Sequence, residues 1–403
     1  RPSPRRHSLA KVLHVRCNGF CKLRSRYSRR SFELIISIAV IGAGAVGAGT
    51  AWHLARQGHN VSLIDPSLEA PIQRNNSLDQ VLNGTTASLG VLMGHVFRRS
   101  SGRAWRLRQR SMELWPQWVE RLNHPDTPLQ LDSPLIQLAS DPVESERMQS
   151  LANQRRELGL ESFGSASTES HQIPWPNPGH GGLCSHNDGR IDPLALQRAL
   201  RRSLKTEEVA LLPARVTALH RQNPDDGNRW GLELDTGHNT HYDVVVICTA
   251  LASALLLQPL GHEFPMEAVL GQVLDLQVSA TTKAWDHWPA VLVCNGVNLI
   301  RHGHNRLWLG ATLEHGEEPS TEEPSIMRRL DGLAPNWLQE AEVVDQWHGL
   351  RARPSGRPAP LLEVLEPGLI LASGHYRNGV LLAPATADWV GQQMMNTTKI
   401  PAS

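Results

Sequence analysis

"IAVIGAGAVGAGTAWHLARQGHNVSLID", from Ile38 to Asp65, is the stretch whose reading decides the fold. Its opening run up to Ile41 is short, apolar and β-branched, the composition of a strand buried on both faces. Gly42, Gly44 and Gly47 follow in G-x-G-x-x-G spacing. The first permits a tight turn, the second lets the backbone approach a pyrophosphate, and the third lets the next helix pack on the sheet. That helix is expected over roughly Ala45 to Gln57. Its free N–H groups, at Ala45 and Val46, and its positive dipole end would face the phosphates, and Gly58 reads as its stop. A second strand, Asn60 to Ile64, ends in Asp65, where a carboxylate would accept hydrogen bonds from ribose hydroxyls. Strand, glycines, helix, strand and acid together point to a dinucleotide. NAD and FAD both fit; an acid rather than an arginine at 65 argues only against the 2′-phosphate of NADP.

The chain has 403 residues, enough for two domains. With 40% hydrophobic and 20% charged residues it has the composition of an ordinary globular protein. A net charge of +1 gives no strong field for nucleic acid or a membrane surface, so neither is expected as a partner. The apolar stretches are too short for a membrane span. Cys17, Cys21, Cys184, Cys248 and Cys294 form no C-x-x-C motif, and no metal site is expected. Residues 1 to 32 carry ten Arg or Lys and no acid. They read either as a transit peptide or as translated upstream sequence. The expectation is a disordered basic tail over 1–34, outside the fold. Location is expected to be cytoplasmic unless that tail directs the chain to an organelle.

Further along, "LNGTTASLGVLMG", Leu82 to Gly94, is small and polar enough for its backbone to run close past a cofactor, with Thr85, Thr86 and Gly90 as candidate contacts. From Ala104 to Leu122, Trp105, Leu107, Met112, Trp115 and Trp118 recur at helical spacing, predicting a helix packed in a second domain. The Pro- and Gly-rich "IPWPNPGHGGLCSHNDGRIDP" marks a crossing between domains. Asp192 then caps a helix from Pro193 to Ser203. "VALLPARVTALHRQ" and "WGLELDTG" read as strands, and "YDVVVICTA", Tyr242 to Ala250, as a buried one. From Met266 to Glu314 the pattern turns antiparallel, with a hairpin in "VNLIRHGHNRLWLGATLE" whose tip carries His302 and His304 in a solvated turn. A strand at Leu369–Ala372, a glycine turn and a helix beginning near Gly379 close the chain. This second strand-turn-helix junction implies that distant ends of the chain meet at one ligand.

"GHYRNGVLLAPATA", Gly374 to Ala387, resembles the FAD-dependent amine and amino-acid oxidases, the family of D-amino-acid oxidase, glycine oxidase and sarcosine oxidase. "GRIDPLALQRAL", "GATLE" and "HGLRARP" fall in the family's order, and the similarity runs from about Ile35 to Met395. The resemblance implies an α/β fold: a Rossmann-type FAD-binding domain (35–95, 183–255 and 346–397) and a second, antiparallel-sheet α+β substrate domain (96–182 and 256–345). It implies oxidation of a small amino acid or secondary amine to an imine by hydride transfer to flavin N5. A dehydrogenase using an acceptor other than oxygen, an NAD-dependent dehydrogenase and a non-catalytic FAD-binding protein are the competing readings. Arg351 matches the arginine that grips a substrate carboxylate, with Arg353 offering a second register; Arg377 reads as a second substrate contact or a structural ion pair. A planar guanidinium suits that task, since two parallel charge-assisted bonds orient the α-carbon. Asn298 falls where glycine oxidase carries a substrate-facing tyrosine, so Tyr376 is the remaining candidate for that half of the clamp. Further FAD contacts are implied at Val216, Thr249, Ala250, His375, Asn378, Gly379, Val380 and Leu381, with His375 as backbone support rather than a base. No cysteine lies near the closing segment, so the FAD is expected to be non-covalent. An oligomer is compatible with all of this.

Overall fold

Ser37–Ile41 runs through the middle of a six-stranded sheet in the computed structural model, which describes residues 36–74, 81–164, 175–176, 179–223, 229–278, 285 and 288–397. The sheet order is Leu361–Glu366, Leu369–Ser373, Val244–Ile247, Ser37–Ile41, Asn60–Ile64 and Ala210–Leu212. All neighbours pair in parallel except the first two, which are antiparallel. Successive side chains of a strand point to opposite faces, and both faces here are covered. Ile38 and Val40 pack under the helices Ala45–Arg56, Pro193–Thr206 and Gly379–Thr397. Ala39 and Ile41 face a three-stranded antiparallel meander, Val216–Arg221, Trp230–Leu234 and Asn239–Tyr242. This double burial is why the segment reads as an unbroken apolar run. Asp192 caps its helix as expected, accepting from the Leu194 and Ala195 N–H groups at 2.9 and 2.8 Å.

The second large sheet has nine strands. Met266–Gln277 is its spine, paired along its length with Glu342–Pro354 on one side and with Arg306–Gly310 on the other. Val297–His302, Val291–Cys294, Leu135–Leu138, Gly182–Ser185 and Leu160–Phe163 continue the sheet outward. It is antiparallel except where Val291–Cys294 runs parallel to Leu135–Leu138.

Three expectations change. The helix Arg103–Leu122 packs in the dinucleotide layer, not with the second sheet: Met112, Trp115, Trp118 and Leu122 share the core of the first sheet's helices. Trp118 meets Trp52 edge-to-face at 5.1 Å. Periodicity reveals an apolar face but not what it covers. Gly182–Ser185 and Glu342–Pro354 are strands of the second sheet, so the chain crosses between layers just after 185 and 354 rather than at 183 and 346. His302 is not in the turn. It ends a strand, bonds Asp275 through Nε2 at 3.0 Å and stacks on Trp308, while His304 is exposed at the tip.

The described residues from 36 onward form one compact unit. Among them no helix is long and apolar enough to cross a membrane. The basic tail lies outside the described residues.

Candidate functional site

The glycine turn is built by close backbone contacts. Gly42 has φ +102°, and a Cβ there would lie 2.6 Å from the Cys248 carbonyl oxygen. A Cβ on Gly47 would lie 1.8 Å from the Gly42 carbonyl oxygen. The turn thus presses against the end of Val244–Ile247, and the helix starts directly beyond it. Asp65 holds this geometry: Oδ2 accepts from the Ala43 N–H at 2.8 Å, and Oδ1 accepts from the Ser67 N–H and hydroxyl at 2.7 and 2.6 Å. The Ala45 N–H donates to Thr85 Oγ1 at 2.9 Å. Gly44 and Val46, whose N–H groups lie in the first turn without a partner inside the helix, line a cavity of about 1270 Å³.

Nearly every residue singled out from the sequence lines that cavity. Gly42, Gly44, Ala45, Val46 and Asp65 form one end, with Thr85 and Gly90 beside them. Val216, Thr249 and Ala250 form a side wall. His375 through Leu381 enter from the closing segment, and Asn298 and Arg351 from the second sheet. Gly47 is excluded because it lies beneath the turn, in the packing role expected of it. Thr86 is excluded because neighbouring residues of the short helix Gly84–Ala87 point different ways: its hydroxyl bonds Gln197, while Thr85 faces inward.

Arg351 projects from Glu342–Pro354 across Gly271, where a Cβ would lie only 2.1 Å from one guanidinium nitrogen. Its NH1 donates to the carbonyls of Leu270 and Thr312 at 2.9 and 3.2 Å. No carboxylate is bonded to it among the described residues. Burial, and after it the Arg377 charge, lower its pKa from the usual arginine value. Arg353, the other register, is half-exposed, pairs with Glu267 at 3.7 Å and is not in the cavity wall. Arg377 is exposed at the rim, and Tyr376 lies beside it at φ +55°. Asn298 donates through Nδ2 to the Gly310 carbonyl at 2.9 Å. His375 is buried, with Nε2 2.9 Å from the Thr386 hydroxyl. Burial, aided by the Arg103 charge, pushes its pKa down to about 3, so the ring is neutral at ordinary pH.

Several residues escaped the sequence reading. Asp188, fully buried, accepts from the N–H groups of Gly94, His95 and Val96 at 2.9 to 3.1 Å. Arg155 holds the same loop through the carbonyls of His95, Phe97 and Arg99, and Val96 and Phe97 line the cavity. Ser111 inserts its hydroxyl into the closing helix, donating to the Leu381 carbonyl at 2.6 Å and accepting from the Ala385 N–H at 3.3 Å. Trp115 Nε1 donates to the same carbonyl at 3.1 Å. Arg108, one turn before Ser111, also lines the cavity. The only signal for these was the apolar spacing of their helix and a turn-like "HNDG", neither of which names a partner.

A largely parallel sheet with a glycine turn after its first strand and an acid at the end of its second, opening onto a second sheet that supplies an arginine bonded to no carboxylate among the described residues, is the architecture of a dinucleotide-binding protein. The chain belongs to the FAD-dependent oxidoreductases: that family's model matches residues 37–393. It is therefore an FAD-dependent enzyme. It is 35% identical over 148 residues to a glycine oxidase of Pseudomonas putida, a stretch that covers 36% of this chain and 39% of that relative. Its fold matches a glycine oxidase of Geobacillus kaustophilus with a TM-score of 0.75 at 21% identity, covering 90% of this chain and 95% of the other. An iminodiacetate oxidase of Chelativorans matches with a TM-score of 0.71 at 20% identity, covering 89% and 95%. The residues present fit FAD. The N–H groups of Gly44 and Val46, on either side of the Ala45 N–H that Thr85 takes, suit its pyrophosphate, the Asp65 carboxylate at the end of the second strand suits its ribose, and the chamber exceeds the size of an ordinary small-ligand pocket.

Proposed function

We propose that this enzyme oxidises a small amino acid or secondary amine to its imine, in the manner of a glycine oxidase. The observation that carries the reading is Arg351, held over Gly271 by two carbonyls, without an acid partner, and facing the chamber. Bound FAD supplies a two-electron acceptor at N5. The remaining work is positioning. Arg351 takes the substrate carboxylate through paired N–H donors and so fixes the α-carbon, and Arg377 at the rim adds a second positive charge on the entry side. The α-carbon gives up a hydride, the amine's proton leaves to water, and the imine is hydrolysed to the oxo acid and ammonia or an amine. No side-chain base is required, and His375, neutral and bonded to Thr386, is not one. Asn298 and Tyr376, which also line the chamber, are assigned the screening of the substrate's nitrogen and side chain.

The cofactor is held without a covalent bond. Cys248 is the cysteine in the chamber wall, but it sits behind the glycine turn, and burial pushes its thiol up to about 12, leaving it unreactive. An anaerobic screen of glycine, sarcosine, D-amino acids and proline tests the substrate class: at least one should bleach the flavin absorbance. Full retention of colour with all of them would overturn the assignment.

A further inference from the structure

Arg108 is 9% exposed, faces the chamber and has no ion pair with an acid among the described residues. Its NH2 donates to Asn378 Oδ1 at 3.1 Å and its NH1 to the Ala104 carbonyl at 3.3 Å, while Nε is buried with no hydrogen-bond partner. The guanidinium carbon lies 3.9 Å from the centre of the Phe97 ring, itself part of the chamber wall. Other buried arginines are accounted for differently: Arg155 is saturated by three carbonyls, and Arg190 has Asp132 and Asp192 within 4.0 Å. A desolvated cation without a counter-ion is unfavourable unless something negative meets it. Here the candidate is set by position. Asn378, which Arg108 grips, immediately precedes the closing helix, and Gly379, Val380 and Leu381 of its first turn line the chamber. Ser111 and Trp115, one and two turns further along the same helix as Arg108, fasten that first turn through the Leu381 carbonyl. One helix therefore both anchors this turn and sets a full positive charge beside it.

We propose that, with the pyrimidine end of the bound flavin at the first turn of the closing helix as the family resemblance implies, Arg108 is a charge-stabilising residue for it, adding a full charge to the partial charge of that helix's N-terminus. Two-electron reduction with hydride arriving at N5 places a negative charge on the pyrimidine ring, and a fixed cation nearby favours that state. Arg108 stays protonated throughout, so no proton moves. The inference rests on the FAD cofactor and not on the substrate assigned above.

The test compares Arg108→Met, close in shape but neutral, with Arg108→Lys, which keeps the charge. The flavin's midpoint potential is titrated against reference dyes with no amino acid present, and sulfite affinity is measured by loss of the flavin band. Arg108→Met should hold FAD, bind sulfite at least tenfold more weakly, and show a potential lower by about 30 mV or more, the equivalent of tenfold for two electrons. Arg108→Lys should recover most of both. A flavin-loaded Arg108→Met with the parent's potential and sulfite affinity overturns the proposal. Should Arg108→Met purify empty, a loaded Arg108→Lys with the parent's potential supports a need for charge, whereas two empty variants assign Arg108 a packing role and overturn it. Since no amino acid enters either measurement, an error in the substrate class leaves these results untouched.

Discussion

Gly271→Ala is the sharpest probe of the substrate anchor because it alters Arg351 without touching it. Gly271 lies opposite Gly349 in the paired strands, and its backbone is not in the left-handed region. Alanine is therefore tolerated by the strand itself. The new Cβ would stand 2.1, 2.4 and 2.5 Å from the three outer atoms of the Arg351 guanidinium. Ordinary contact begins near 3.4 Å, so the guanidinium must retreat by roughly 1 Å, and a misplacement of that size at a reacting centre can cost about a hundredfold. The obstructed atoms are the far end of a flexible side chain, so folding should barely register the change. What is lost is the clamp to the Leu270 and Thr312 carbonyls and with it the paired bonds to a carboxylate, about 1.5 to 3 kcal/mol for a charge-assisted bond. Gly271→Ala should thus retain its flavin and melting temperature while kcat/KM for the best amino-acid substrate falls about ten- to a hundredfold. In an Arg351→Ala background the same change should cost almost nothing, because the two act through one group. Parent-like kcat/KM in Gly271→Ala, or full additivity in the double variant, would refute Arg351 as the carboxylate anchor.

Two further outcomes follow from the same chamber. Acid precipitation should release a yellow supernatant with the mobility of FAD; flavin retained in the pellet would contradict the inert Cys248 thiol. The second concerns His375. Its folded pKa of about 3 lies below the ordinary 6.5, so between those values the unfolded chain binds a proton that the folded chain refuses. Stability from this residue is intact above pH 6.5 and declines as the pH falls towards 3. His375→Gln should flatten the melting temperature against pH across that window, and an unchanged slope would show that the ring is already solvated.

What the sequence disclosed was whatever rests on local covalent constraint. Gly42 and Gly47 are required by contacts within a few residues of the turn and by the one strand beside it, so their spacing, together with the flanking strands, helix and Asp65, carries the dinucleotide reading. Asp192 and Pro193 announce a helix start in the same way. Arg351 was legible only through the resemblance of its segment, because its setting depends on Gly271, over which its guanidinium lies on the neighbouring strand, and on the Thr312 carbonyl, both far away in sequence. The helix Arg103–Leu122 shows the opposite limit: its tryptophans gave the helix but not its neighbour. Thr85 and Thr86 are chemically alike and adjacent, and only the direction of a one-turn helix separates a chamber residue from a partner of Gln197. Asp188 and Arg108 were invisible because a buried charge in sequence looks the same as a solvated one.

The chamber's walls come from strands and turns spread from Ile41 to Leu381. During synthesis, the glycine turn emerges early, but the Val244–Ile247 strand it leans on, the Arg351 strand and the closing helix follow in succession. The wall that Gly379, Val380 and Leu381 supply exists only once the closing helix has docked, so full affinity for FAD should depend on the docking of the segment furthest along the chain from the glycine turn.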